Sequence, residues 1–253
     1  MYRENMRKIN VPRDGEIEPF KIADGLYFCG TYQASSHLID TGDGLIMIDT
    51  GYANTFEMVA EAVEKLGFDL KDIKYIINTH WHGDHTEASG KMAAASGALN
   101  VISRRDAGYV EKLGYFKPDV LIDDGDKLVL GDKTIEFMVT PGHTKGTLSL
   151  FFDVTDGGNA YRAGMFGGAG ANSLVRSYPT FYEACRDDYL NSCRRLLNEK
   201  VDIFIGNHCW NNRTDEKGDI LLRTGENLFI DGGEEWKKFL NYCIDRCLSL
   251  PPL

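Results

Sequence analysis

Clustered positive charge is the first thing this 253-residue chain lacks: 28 Lys and Arg stand against 38 Asp and Glu, a formal net charge of −10 at pH 7. Gripping nucleic-acid phosphates calls for a basic face, so no nucleic-acid partner is expected. Long apolar runs are missing too. No stretch approaches the roughly 18 residues of a membrane span. The charged start, Met1 to Lys8, is followed by Asn10, Pro12, Arg13 and Asp14 instead of the apolar core of a signal peptide. The expectations are no membrane partner and a cytoplasmic location. The six cysteines (Cys29, Cys185, Cys193, Cys209, Cys243 and Cys247) include no C-x-x-C pair, and reduced thiols suit a cytoplasm. Cys243 and Cys247 sit four apart on one helix face, too distant for a relaxed disulfide, and read as packing residues. Cys209, beside a candidate ligand, is the cysteine to watch. Low-complexity tracts, short-period repeats and a dividing linker are also absent. With 43% hydrophobic residues, 1–253 reads as one domain with a substantial core, 1–18 an N-terminal extension and 232–253 a helix packed on it.

What the chain does have is a dense group of metal-competent side chains. Thr79-His80-Trp81-His82-Gly83-Asp84-His85-Thr86 puts three imidazoles and a carboxylate within six residues, directly after the apolar run Tyr75-Ile76-Ile77. That run reads as a buried strand. Imidazole nitrogen and carboxylate oxygen are ligands that zinc and neighbouring first-row metals take, and alternate residues of an extended loop point the same way. His80 and His82 can therefore grip one ion. Asp84 and His85, where a helix begins, can face a second.

Around this loop the chain reads as alternating sheet and helix. From Phe20 to Ile48, short apolar runs are broken by turn pairs such as Asp24-Gly25 and Asp43-Gly44, the pattern of an antiparallel meander. Asn54, with Glu57 as a capping-box partner, predicts a helix start; Phe56, Val59, Ala60, Val63 and Leu66 form its apolar stripe, and Gly67 its end. After the strand Lys74 to Asn78 and the histidine loop, Thr86 to Ser96 predicts a helix stopped by Gly97. This order sets the ligands at the carboxyl end of a strand, where sheet-and-helix proteins open their clefts. Val101 to Ser103 is a strand, Arg105 to Leu113 a helix, and Lys127 to Val139 a hairpin running into Thr140-Pro141-Gly142-His143-Thr144. Pro141 and Gly142 force a bend that displays His143 at a strand end. Leu148 to Phe152 and Asn159 to Ala163 continue the second sheet. A helix is predicted over Phe181 to Asn198, with Tyr182, Cys185, Tyr189, Cys193 and Leu196 or Leu197 facing in. The strand Asp202 to Ile205 then ends at Gly206-Asn207-His208. Asp215 to Arg223 and Glu234 to Leu248 read as covering helices, the latter with Trp236, Leu240 and Ile244 inward. His37 matches no ligand motif and reads as structural.

The H-x-H-x-D-H pattern of His80 to His85 resembles the signature of the metallo-β-lactamase superfamily. The T-P-G-H-T run around His143 and the strand end at His208 resemble its later metal motifs. The resemblance implies an α/β fold, the four-layer αββα sandwich of that family. It implies two metal ions per chain, zinc first and iron or manganese as alternatives: one held by His80, His82 and His143, the other by Asp84, His85 and His208. An Asp at the place of Asp49 braces the metal loop in the family. Most members carry a bridging Asp, or a Cys, where this chain has Arg162-Ala163-Gly164-Met165-Phe166-Gly167-Gly168. The pattern therefore fits best the β-lactamase class whose second ion takes one Asp and two His, and the glycines are expected to form a flexible loop beside the cavity. The implied activity is hydrolysis of a small amide, ester or lactone, β-lactams included, with Asp84 relaying the proton and Asn207 donating to the oxyanion. Trp81, Phe166, Tyr178 and Trp210 are expected to line a partly apolar cleft. The rival readings are a mononuclear iron oxidoreductase of the same fold, which depends on the missing bridging Asp, and a non-catalytic metal-binding or sensing protein.

Overall fold

The computed structural model describes residues 15–175 and 185–251. Alternation of apolar residues within each strand explains why the sheets stack. In β4 (Leu45–Ile48) all four residues are buried: Ile46 and Ile48 enter the core between the sheets, and Leu45 and Met47 enter a second core on the opposite face. A strand buried on both faces reads as an unbroken apolar run.

The first sheet has seven strands in sequence order: β1 (Phe20–Ala23), β2 (Leu26–Phe28), β3 (His37–Asp40), β4, β5 (Ile73–Ile77), β6 (Leu99–Ser103) and β7 (Val120–Ile122). β1 to β4 form the expected antiparallel meander, and β4 to β7 run parallel. The second sheet comprises β8 (Lys127–Leu130), β9 (Lys133–Val139), β10 (Leu148–Asp156), β11 (Asn159–Met165) and β12 (Ile203–Phe204), in the order β12-β11-β10-β9-β8. It is antiparallel apart from the β11 and β12 pair.

Helices cover both outer faces. α1 (Phe56–Lys65), α2 (Gly83–Thr86), α3 (Ser89–Ser96) and α4 (Ala107–Leu113) follow strands of the first sheet; α5 (Arg186–Leu196), α6 (Cys209–Asn212), α7 (Thr214–Thr224) and α8 (Glu234–Leu248) follow the second. Val59 and Val63 of α1 and Met92 of α3 share the outer core of the first sheet, while Tyr189, Cys193 and Leu196 of α5 pack with Trp236, Leu240 and Cys243 of α8 beneath the second. The result is the expected αββα layering. Among the described residues no helix is long and apolar enough to cross a membrane.

Some local expectations change. Asn54 is exposed and caps nothing: Ala53–Thr55 form a 3-10 turn before α1, tied down where the Ala53 N–H donates to Glu87 Oε2 at 3.2 Å. A tertiary contact here outranks the local capping signal. The helix expected over Thr86 to Ser96 is instead the single turn α2, a break at residues 87–88, and α3. α5 begins at Arg186, and residues 181–184 of the expected helix, Tyr182 of its inward stripe among them, lie outside the described residues. β7 carried no signal strong enough to be expected.

Candidate metal centre

The parallel pairing of β4 with β5 sets the ends of these strands side by side. Asp49, one residue past β4, donates its N–H to Ile77 O at 2.8 Å and turns with φ 53°. That left-handed conformation is open to Asp but costly for most side chains. It aims a fully buried carboxylate at the histidine loop. Oδ1 accepts Thr79 N–H at 2.8 Å, and Oδ2 accepts Thr79 Oγ1 at 2.8 Å and His85 Nδ1 at 2.7 Å. The bracing role expected of Asp49 is what its contacts describe.

Three strand ends then bring the ligands together. β5 leads to His80, His82, Asp84 and His85; β9 leads to His143; β12 leads to His208. The ring centroids of His80 and His82 lie 4.7 Å apart, and His143 lies 4.8 Å from His80 and 4.6 Å from His82. Their donor atoms all fall within 4.8 Å of one another, as do those of His80, Asp84 and His85. On the other side, His85 Nε2 is 3.3 Å from both Asp84 Oδ2 and His208 Nε2, and His208 Nε2 is 3.7 Å from Asp84 Oδ2. Four-coordinate bonds of about 2.0–2.2 Å separate neighbouring donors by about 3.3–3.6 Å. Two of the three spacings among Asp84, His85 and His208 fall in that range and the third, at 3.7 Å, lies just above it, so the three can face one ion. His80 Nε2 is buried without a hydrogen-bond partner, as expected of a nitrogen whose natural partner is a cation.

In His143 and His208 the other ring nitrogen is tied back, which fixes tautomer and ring direction. His143 Nδ1 donates to Gly170 O at 2.7 Å, and His208 Nδ1 to Gln33 O at 2.5 Å. Nε2 is then the atom of each that can serve as a metal donor, and no side chain in the sequence announced either contact because both acceptors are backbone carbonyls. Burial, reinforced by neighbouring imidazoles, holds His80 and His82 well below the ordinary histidine range, and burial leaves His143 and His208 at about 4. His85 differs. Burial works against its charge, but the Asp84 and Asp49 carboxylates outweigh it and raise it to about 10. Burial likewise opposes the charge of Asp84, yet His85 holds that carboxyl well below the usual range.

The glycine stretch is a packed cradle and not an open loop. A Cβ at Gly167 would meet Leu148 O at 2.1 Å and Thr79 Cβ at 2.8 Å, and one at Gly168 would meet Thr147 at 2.6 Å and His143 Cβ at 3.0 Å. The family's usual Asp or Cys has no room at either position. Asn207 serves this cradle: buried, it donates from Nδ2 to Gly167 O at 2.7 Å and accepts Asn211 Nδ2 at 2.5 Å. These contacts describe a bracing role for Asn207.

The aromatic expectation divides. Trp210 stacks on His208 at 4.2 Å and 12°. Trp81 meets His82 edge-on at 4.5 Å but packs on Tyr109 and a small core of Ile102, Val110 and Phe116. Phe166 is buried beside Tyr189, and Tyr178 lies outside the described residues. Cys209 is a buried packing thiol, its Sγ 3.5 Å from Thr31 O, and burial pushes its pKa up. Cys243 and Cys247 are buried on α8, as expected.

Comparison with known proteins agrees with this geometry. Residues 29–208 match the metallo-beta-lactamase superfamily. The fold is similar to that of a subclass B3 metallo-beta-lactamase of Bradyrhizobium japonicum, with TM-score 0.82 and 29% identity over 93% of this chain and 95% of that one. Among curated proteins, the chain is 29% identical over 123 residues to a beta-lactamase-like protein 2 homolog of Caenorhabditis elegans. It is 30% identical over 135 residues to a probable metallo-hydrolase of Methanocaldococcus jannaschii. These matches take in 46% and 48% of this chain but only 39% and 64% of the two relatives' own lengths.

Proposed function

The chain belongs to the metallo-β-lactamase superfamily, and from that premise we propose that it is a dinuclear metal-dependent hydrolase acting on a small carbonyl substrate: an amide, ester or lactone, β-lactams among them. The observation that carries this reading is the set of 3.3 to 3.7 Å donor spacings among Asp84, His85 and His208 beside the His80, His82 and His143 pocket. A zinc pair held by these residues would supply carbonyl polarisation and a water acidified to near neutrality. Three protein donors in each pocket leave positions open for water and substrate, as catalytic sites do and closed structural sites do not.

The chain's own groups divide the remaining work. Asp49 holds His85 and, through Thr79, the start of the ligand loop. Asp84 is the site carboxylate with solvent access, 26% exposed against 0% for Asp49. In this reading it takes the proton of the attacking water and returns it to the leaving atom. Trp210 gives the His208 side an apolar wall against which an acyl group can lie. The cradle at Gly167 and Gly168 leaves no space for a bridging carboxylate, which favours hydrolysis over the iron oxidoreductase reading.

The test is metal analysis of the purified protein joined to hydrolysis assays across β-lactams, lactones, thioesters and phosphodiesters. Two ions per chain are expected, with carbonyl hydrolysis lost in His82→Ala and Asp84→Ala while the fold is kept. A protein that reconstitutes with no metal, or with one iron and oxidation as its sole activity, refutes the proposal.

A further inference from the structure

We infer that Asp106 is a positioning residue for the His80, His82 and His143 pocket, clamping two ligand loops that arise from different sheets; this rests on the metal-centre reading above. Asp106 follows β6 and is fully buried. Its Oδ2 accepts Thr144 Oγ1 at 2.7 Å and Trp81 N–H at 3.2 Å, and its Oδ1 accepts Gly146 N–H at 2.8 Å. Trp81 lies between His80 and His82, and Thr144 follows His143. One carboxylate thus holds both loops within a residue of their ligands, on segments more than 60 residues apart in sequence.

Three details separate this from ordinary helix capping. Asp106 occupies the N-cap of α4 yet makes no side-chain capping bond there. A Cβ at Gly146 would meet Asp106 Oδ1 at 2.5 Å, so the Thr144-Lys145-Gly146 turn is shaped to admit the carboxylate. An ionised carboxylate also accepts from several directions at once, with bonds stronger than neutral ones. Asn in its place would set an NH2 group against the N–H of either Gly146 or Trp81. The loops are also linked where the Leu148 N–H donates to Thr79 O at 2.8 Å, and Asp106 closes the gap nearer the ligands.

The experiment places Asp106→Asn, Thr144→Val and Thr144→Ser in a His208→Ala background, where the first pocket is read without competition from the second. Affinity is taken from zinc competition with a chromophoric chelator, and geometry from the visible spectrum of the cobalt-substituted protein. Asp106→Asn is expected to weaken zinc by about 10–100-fold and to alter the cobalt bands, as loss of a group that orients ligands does. Thr144→Val should do less, Thr144→Ser should restore the parent values, and Asp106→Asn with Thr144→Val should be no worse than Asp106→Asn alone. Unchanged affinity and spectrum in Asp106→Asn overturn the inference, as does a loss of stability with no change at the metal. Should Asp106→Asn fail to fold, the two Thr144 variants decide, and equal affinities for Val and Ser overturn it. A wild-type chain that takes no metal defeats the metal-centre reading itself, whereas metal binding insensitive to Asp106 defeats this inference alone.

Discussion

Replacing Asp49 by Asn tests the centre at its most constrained point, because the change removes charge while keeping shape. Asn also populates the left-handed region, so the φ of 53° is no obstacle. What fails is hydrogen-bond bookkeeping. The carboxylate now accepts three bonds of 2.7 to 2.8 Å, from Thr79 N, Thr79 Oγ1 and His85 Nδ1. An amide has one oxygen. If that oxygen stays on Thr79 N–H, the NH2 group faces His85 and forces its proton onto Nε2, the atom aimed at Asp84 and His208. If the oxygen turns to His85, the NH2 group opposes the Thr79 N–H. Either way a metal ligand loses its lone pair or the loop shifts. Losses of this kind cost about 10–100-fold in metal affinity, or about 1.4–2.7 kcal/mol. Zinc competition against a chromophoric chelator resolves the two sites, and the larger loss should fall on the Asp84, His85 and His208 pocket. Asp49→Asn binding both ions with wild-type affinity would refute the orienting role.

Two further outcomes follow from buried groups. His37 is fully buried with both ring nitrogens lacking a hydrogen-bond partner, packed edge-on against Phe28, and burial lowers its pKa to about 3. The unfolded chain protonates near pH 6.5, so below that pH the unfolded state holds the extra proton and stability falls toward pH 3, by about 1.4 kcal/mol per pH unit from this group. Above pH 6.5 the contribution is fully present. Denaturant titrations of the metal-free protein from pH 4 to 7 should show His37→Leu with a shallower slope than wild type; parallel slopes rule the account out. Gly142 has φ 139°, and a Cβ there would meet Tyr189 Cα at 2.4 Å. Gly142→Ala should destabilise by about 1–3 kcal/mol through overpacking, and should weaken zinc as well because His143 is the next residue. A variant with wild-type melting temperature and zinc affinity would show that α5 does not press on this turn.

The elements that the sequence made legible are those whose signal is local. Apolar runs marked β1 to β6 and β8 to β12, and the stripe of Trp236, Leu240 and Ile244 marked α8 at its observed bounds. β7 was missed because three residues with one buried side chain carry no periodicity. The Asn54 capping pattern predicts a helix start that the fold does not use, because the neighbouring Ala53 N–H is held by Glu87, more than 30 residues away.

The candidate metal donors were legible in the sequence alone: imidazoles and a carboxylate at strand ends have few other uses at that density. Composition likewise set the acidic balance. Only the tertiary structure decided how the donors face one another. His143 and His208 reach His80 and His85 because two sheets stack, and their ring directions are set by Gly170 O and Gln33 O. A backbone carbonyl is the same in every residue, so contacts of this kind leave no mark in the amino-acid string. The cradle at Gly167 and Gly168 belongs to the same class. Glycine in a sequence signals freedom, and here the fold has turned it into close approach, with Leu148 O and His143 Cβ where a side chain would stand.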